Sequence, residues 1–149
     1  MKIVIGLGNP GIGYERTRHN FGFIFLEYLE KKYKFQIEKK KLDSLIGECT
    51  INNEKVIFVK PMKFMNLSGE AVQKVKSWYK ADDRDIIVIF DDIDIEFGDV
   101  RYKANGSGGS HNGMKNIVQM LSTENISRIK LRTWKFEAYG TKFEWFCIV

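Results

Sequence analysis

Lys2–Leu29 reads KIVIGLGNPGIGYERTRHNFGFIFLEYL, and the strand, turn and helix within it set the fold. Residues 2–7 are a short β-branched run closed by glycines, the pattern of a buried strand. Asn9-Pro10-Gly11 then turns the chain. Beyond Thr17, which suits an N-cap, Phe21, Ile24, Phe25, Tyr28 and Leu29 recur at i, i+3, i+4, i+7 and i+8. That spacing predicts an amphipathic helix with His19 in its first turn, the imidazole directed back toward the strand end.

The same grammar repeats downstream. Ile46–Ile51 and Lys55–Lys60 flank Asn52-Asn53, a pair that tolerates positive φ, so a hairpin is expected. A helix is expected from about Leu67, with Ala71, Val72, Val75, Trp78 and Tyr79 on one face. The run IIVIF reads as a second buried strand and ends in Asp91-Asp92-Ile93-Asp94. Val100–Ala104 reads as extended. The loop NGSGGSHNG (Asn105–Gly113) leads into a helix with Met114, Ile117, Val118 and Leu121 inward. Arg128–Leu131 alternates basic and apolar residues, which predicts a half-exposed strand. The cluster Lys31, Lys32, Lys34, Lys39, Lys40 and Lys41 reads as a solvated helix end and loop. Strands interleaved with helices predict an α/β fold, one domain over residues 1–149, with a mixed sheet flanked by helices.

Bulk properties narrow the function classes. A chain of 149 residues, 44% hydrophobic and 29% charged, suits one soluble globular domain. A net charge of +5 and a pI near 9.1 permit a polyanionic partner without requiring one. Cys49 and Cys147 form no CxxC and accompany only two histidines, so neither a zinc site nor a disulfide framework is expected, and a reducing cytoplasm fits. The apolar run Ile3–Leu7 is too short for a signal peptide, and no stretch approaches membrane-spanning length.

Four segments carry candidate chemistry, each with a plainer alternative. Gly6–Gly11 satisfies GxGxxG, but a dinucleotide fold opens its helix inside the glycine turn, whereas helical periodicity here starts only near Thr17. His19 is either a surface or capping residue or a general base; polar residues at the ends of other elements (Asn9, Asn66, Asp91, Asn112) favour the second reading. Asp91, aimed by its strand at the sheet's end, is the carboxylate best placed to orient an imidazole. Asp92 is expected on the opposite face, and Asp94 farther along the turn. A Mg²⁺ site on these acids lacks an accompanying Walker-type lysine loop. In Lys60–Val72, KPMKFMNLSGEAV, Asn66 either caps the helix or bonds a substrate. Met65 is expected as an apolar floor and Phe64 as a platform for a base. The glycine-rich loop offers backbone N–H groups for an anion, flanked by Arg101, Lys103, Lys115, Arg128 and Lys130. Ser107 and Ser110 lack a GxSxG setting.

GLGNPGxxYxxTRHN, FMNLSG, DDID and GGSHNGMKN stand in this order over roughly residues 1–131, and together they resemble the bacterial-type peptidyl-tRNA hydrolases. The resemblance implies an esterase that cleaves peptide from tRNA in the cytoplasm, acting as a monomer without metal or cofactor. It implies His19 as the base that activates water and Asp91 as its orienting partner. Asn9 would distinguish N-blocked peptidyl-tRNA from free aminoacyl-tRNA. Asn66 and Asn112 would position substrate and water, and Tyr14 and Phe64 would contact the tRNA end. Lys103, Arg128 and Lys130 would meet acceptor-stem phosphates. A non-catalytic RNA-binding relative is the other reading of the same surface.

The end of the chain departs from that pattern. Where the family continues into a glycine-rich strand, a lid and a helix, this sequence runs RTWKFEAYGTKFEWFCIV. Six aromatics (Trp134, Phe136, Tyr139, Phe143, Trp145, Phe146) crowd its last sixteen residues in a chain that is 13% aromatic overall. A changed reading frame or degenerate terminus is the expected cause, with a missing lid and an exposed apolar patch as consequences.

Overall fold

The computed structural model describes residues 1–10 and 20–132, so Tyr14, Thr17, His19 and the aromatic tail lie outside the described residues. The elements run β1 (Lys2–Gly6), α1 (Phe21–Tyr33), β2 (Lys39–Lys41), β3 (Ser44–Ile51), β4 (Glu54–Pro61), α2 (Ser68–Tyr79), β5 (Ile86–Asp91), β6 (Val100–Lys103), α3 (Asn112–Leu121) and β7 (Ser127–Leu131). Seven strands form one mixed sheet in the order β2-β3-β4-β1-β5-β7-β6. β1 pairs in parallel with β4 and β5, and β5 with β7, while the outer strands run antiparallel. The expected α/β sandwich is therefore present. Among the described residues no helix is long and apolar enough to cross a membrane.

Period-two alternation divides the core between the two faces. Ile3, Ile5 and Leu7 pack with Val72 and Val75 of α2 and Met114 and Ile117 of α3. Val4, Ile87 and Ile89 pack instead with Phe21, Phe25, Leu26 and Leu29 of α1. Each such fully buried Leu, Ile or Phe contributes roughly 1.5–3 kcal/mol. Gly22 lets α1 lie directly on the sheet: a Cβ there would fall 2.5 Å from both Leu7 N and Ile89 O. That close approach brings Asn20, the residue before α1, to the carboxyl end of β1.

The hairpin reading of Asn52-Asn53 holds. Both residues have positive φ (49° and 66°), and β3 pairs with β4 from Ile51↔Glu54 outward. One expectation fails: Lys39–Lys41 is not loop but an edge strand, paired from Lys39↔Ile46 to Lys41↔Ser44. A strand with one neighbour and two exposed lysines buries no apolar face, so it has no periodicity to read. Its turn, Leu42-Asp43, takes positive φ (56° and 55°) without the Gly or Asn-Gly that normally signals it.

Candidate active site

The parallel strands β1, β4 and β5 end together, and α3 begins beside them. This is where strand order reverses about β1, the usual position of a ligand crevice in an open α/β sheet. The amide backbone of that crevice is built on Asn9. Its Oδ1 accepts the Met65 N–H at 2.7 Å, its own N–H donates to Asn20 Oδ1 at 2.8 Å, and its carbonyl accepts from Asn20 Nδ2 at 3.2 Å. An acceptor bonded to a backbone N–H fixes which way the carboxamide faces. Asn9 therefore offers its NH₂ donors, not its oxygen, to anything that enters. Asn20 was not singled out in the sequence. Its role depends on a tertiary contact with Asn9, and its side chain makes no helix cap despite preceding α1.

Asp91, the last residue of β5, is 5% exposed. The imidazole that the described residues place on it is His111, whose Nε2 lies 3.3 Å from Asp91 Oδ1. His111 Nδ1 accepts the Met114 N–H at 3.1 Å, which caps α3 and leaves Nε2 as the protonated nitrogen that donates to Asp91. The ring also packs on Phe90, with centroids 4.6 Å apart. Sequence reasoning missed His111, because histidine is not among the preferred caps. The available signal was a repeat: a His-Asn pair stands just before Phe21 and again before Gly113. The expected pairing of Asp91 with His19 falls outside the described residues.

Two connected hollows meet at Ser110 and His111. The smaller, about 150 Å³, is lined by Asn9, Met65, Ser110, His111 and Asn112. Met65, 8% exposed, is its apolar floor. Gly113 allows α3 to settle on it, since a Cβ there would lie 2.5 Å from Met65 Sδ. The larger hollow, about 520 Å³, has Asp91, Asp92 and Asp94 on one wall, Gly108–His111 on the other, and Lys103 and Lys130 at its side. Asn112 is exposed as the first residue of α3, and Phe64, 60% exposed, stands beside Met65.

Several expectations change here. Asn66 does not cap α2; it is exposed within a 3₁₀ turn, Met65–Leu67, and Leu67 precedes the helix. Asp91 and Asp92 both line the large hollow. Burial pushes the Asp92 carboxyl pKa up, but the Asp94 N–H at 2.8 Å and Lys130 Nζ at 3.0 Å outweigh it and hold the group below its ordinary value. Lys130 is thus an ion-pair partner of Asp92. Arg128 is not a surface cation at all: it is 1% exposed, and its guanidinium donates to the carbonyls of Ser107, Glu124 and Ile126. The strand looked half-exposed because its sequence does not show that the glycine-rich loop and the Glu124–Ile126 segment fold over the Arg128 side of β7. Lys103, opposite Arg128 across the β6–β7 ladder, is exposed and makes no ion pair among the described residues.

Among the described residues no three His, Cys, Asp or Glu side chains converge as a metal-ligand set. The sequence model of the family "Peptidyl-tRNA hydrolase" matches residues 3–132. A peptidyl-tRNA hydrolase from Fusobacterium nucleatum is 53% identical over 131 residues, which covers 87% of this chain and 68% of that protein. One from Clostridium perfringens is 44% identical, covering 88% and 70%. The crystal structure of peptidyl-tRNA hydrolase from Acinetobacter baumannii superposes with a TM-score of 0.83 at 34% identity, covering 87% of this chain and 66% of that one. The chain therefore spans about two thirds of these relatives. A sheet of this order, with its carboxamide-lined crevice and a match across nearly all the described residues, belongs to the peptidyl-tRNA hydrolase family, whose reaction is the hydrolysis of peptidyl-tRNA.

Proposed function

We propose that the crevice hydrolyses the ester joining a peptide, or an N-blocked amino acid, to the 3′ end of tRNA, with His19 as general base. The observation that carries this reading is the locked carboxamide of Asn9, whose outward NH₂ matches a substrate carbonyl. A blocked amino group supplies such a carbonyl. A free ammonium brings only donors, which gives a physical basis for selecting peptidyl- over aminoacyl-tRNA. His19 directly precedes Asn20 in the chain, and Asn20 is anchored on Asn9, which supports a place for the imidazole beside the crevice.

In this reaction His19 takes a proton from water as the oxygen attacks the ester carbonyl. The acyl–oxygen bond then breaks, the 3′ oxygen leaves with a proton, and free peptide acid and tRNA result. General-base catalysis is worth on the order of 10²–10⁴-fold, and an aligned amide donor at the developing oxyanion roughly 10²–10³-fold more. Those factors suffice for an activated ester without a metal. Asp91 orients the base, and His111, bonded to Asp91, keeps that carboxylate in place. Asn66 and Asn112 hold substrate and water, Met65 floors the acyl site, and Tyr14 and Phe64 receive the tRNA end. Lys103 meets acceptor-stem phosphate, with Lys130 as a weaker contact because Asp92 shares its charge. The enzyme acts as a cytoplasmic monomer, where translation produces its substrate.

The test is release of N-acetyl-amino acid from N-acetyl-aminoacyl-tRNA by the purified chain, beside the same assay with free aminoacyl-tRNA. Turnover of the blocked substrate alone is expected. Tight tRNA binding with no release would instead identify an RNA-binding relative.

A further inference from the structure

Both walls of the large hollow hang from one strand. Arg128 stands near the start of β7 and Arg132 one residue beyond its end, four positions apart, and neither guanidinium bonds a carboxylate among the described hydrogen bonds. Arg128 Nη1 donates to Ser107 O at 2.7 Å, while Nε and Nη2 reach Ile126 O at 3.1 and 3.0 Å and Nη2 reaches Glu124 O at 3.1 Å. Ser107 immediately precedes Gly108–Ser110, which form the loop wall. Arg132 Nη1 donates to Ile93 O at 2.9 Å and to Ile95 O at 2.8 Å, inside the carboxylate wall. Its main chain adds two more ties: Arg132 N–H donates to Asp99 O, and Gly98 N–H donates to Arg132 O. A third follows one residue earlier, where Asp92 N–H donates to Leu131 O at 3.0 Å.

Burying a cation without a counter-ion is costly, and it is tolerated only where carbonyls replace its hydration shell. A planar five-donor guanidinium can bridge three carbonyls at once, which an ammonium cannot do in the same geometry. Two direct links cross between the walls, both long: Ser110 Oγ to Asp94 Oδ2 at 3.4 Å on the exposed rim and His111 Nε2 to Asp91 Oδ1 at 3.3 Å at the base, so the positions of the rest of each wall depend on what anchors them from behind. We infer that Arg128 and Arg132 are positioning residues that set the two walls of the crevice from β7, Arg128 for the glycine-rich loop and Arg132 for the carboxylate turn beside Asp91. The inference rests on the esterase reading for what the crevice holds.

The two arginines act on different groups, so their variants should split the kinetic constants in opposite ways. Arg132→Met should lower kcat about tenfold with KM within about twofold, because a slightly displaced carboxylate no longer orients the base. Arg132→Lys should recover most of that loss, since an ammonium can reach both carbonyls. Arg128→Lys should raise KM about tenfold with kcat nearly constant, and should weaken tRNA binding by the same factor. The full chain is assayed with N-acetyl-aminoacyl-tRNA, and Tm is recorded for every variant. Parallel changes in kcat and KM that follow Tm, or wild-type constants in all variants, would overturn the inference. If Arg128→Lys does not fold, the Arg132 pair decides. Absent turnover in the wild type would sink the esterase reading instead, and weaker tRNA binding by Arg128→Lys would then still support the loop's positioning.

Discussion

Along the β2 edge of the sheet, Lys39 and Lys40 are exposed on a three-residue strand that pairs only with its hairpin neighbour. Along the opposite edge, β6 and its neighbour β7 carry Arg101, Lys103, Arg128 and Lys130 on one face of the ladder. The first edge is rich in lysine yet borders none of the hollows near Asp91. On the second, Arg101 pairs with Asp99, Lys130 with Asp92 and Arg128 with three carbonyls, while Lys103 is exposed and makes no ion pair among the described residues. Counting cations along a sequence thus does not tell which of them keep an unshared charge. What a cation does depends on whether its neighbours have already used its charge, and that is a property of packing. At the β2 edge the charges serve a different end, since lysines on an open strand discourage pairing with other chains.

The strongest way to sharpen this contrast is to compare either edge with the proposed general base. His19→Ala should cut kcat by roughly 10²–10⁴-fold while tRNA affinity stays near wild type; a matching loss of affinity would move His19 from catalysis to binding. On the β6 edge, Lys103→Ala should raise KM several-fold and reduce the salt slope of tRNA binding by about one. An unchanged salt slope would remove Lys103 as a phosphate contact. A smaller effect is expected at Asp92. Its folded pKa is lowered, so it stabilises the fold above the unfolded value of about 3.9 and loses that contribution as pH falls toward the lowered value. Asp92→Asn should therefore cost about 1 kcal/mol near neutrality, with the difference from wild type shrinking below about pH 4 in urea titrations. A constant difference across pH would show that the carboxylate's charge is not what matters. Smallest of all, Lys40→Ala should leave KM and the salt slope unchanged and alter stability by less than about 0.5 kcal/mol. A Lys40→Ala effect as large as that at Lys103 would break the distinction between the edges.

Much of the fold was legible because its signals are local. KIVIG and IIVIF are apolar runs long enough for strands, and the α1 stripe spaces its aromatics at helical intervals. Asn52-Asn53 announces its turn by residue type. β2 was hidden because an edge strand without a buried face leaves no pattern. The site was legible only in part. Asp91, Asn9, Met65 and Asn112 converge as expected, since each ends or begins an element on the ligand side of the sheet. His111 and Asn20 were not foreseen, because the reason for each is a partner far away in sequence, Asp91 for one and Asn9 for the other.

What the sequence determined by itself is therefore the set of elements, their order, and the family to which their motifs belong. Hydrophobic periodicity and turn chemistry act over a few residues, and so they can be read without coordinates. Only the tertiary structure decided the duty of each polar group. Asn9 faces its NH₂ outward because Met65 N–H occupies its oxygen, and Arg128 is a buried strut because β6 and the glycine-rich loop cover it. Hydrogen bonds and burial join residues distant in the chain, and a one-dimensional pattern does not record who those partners are.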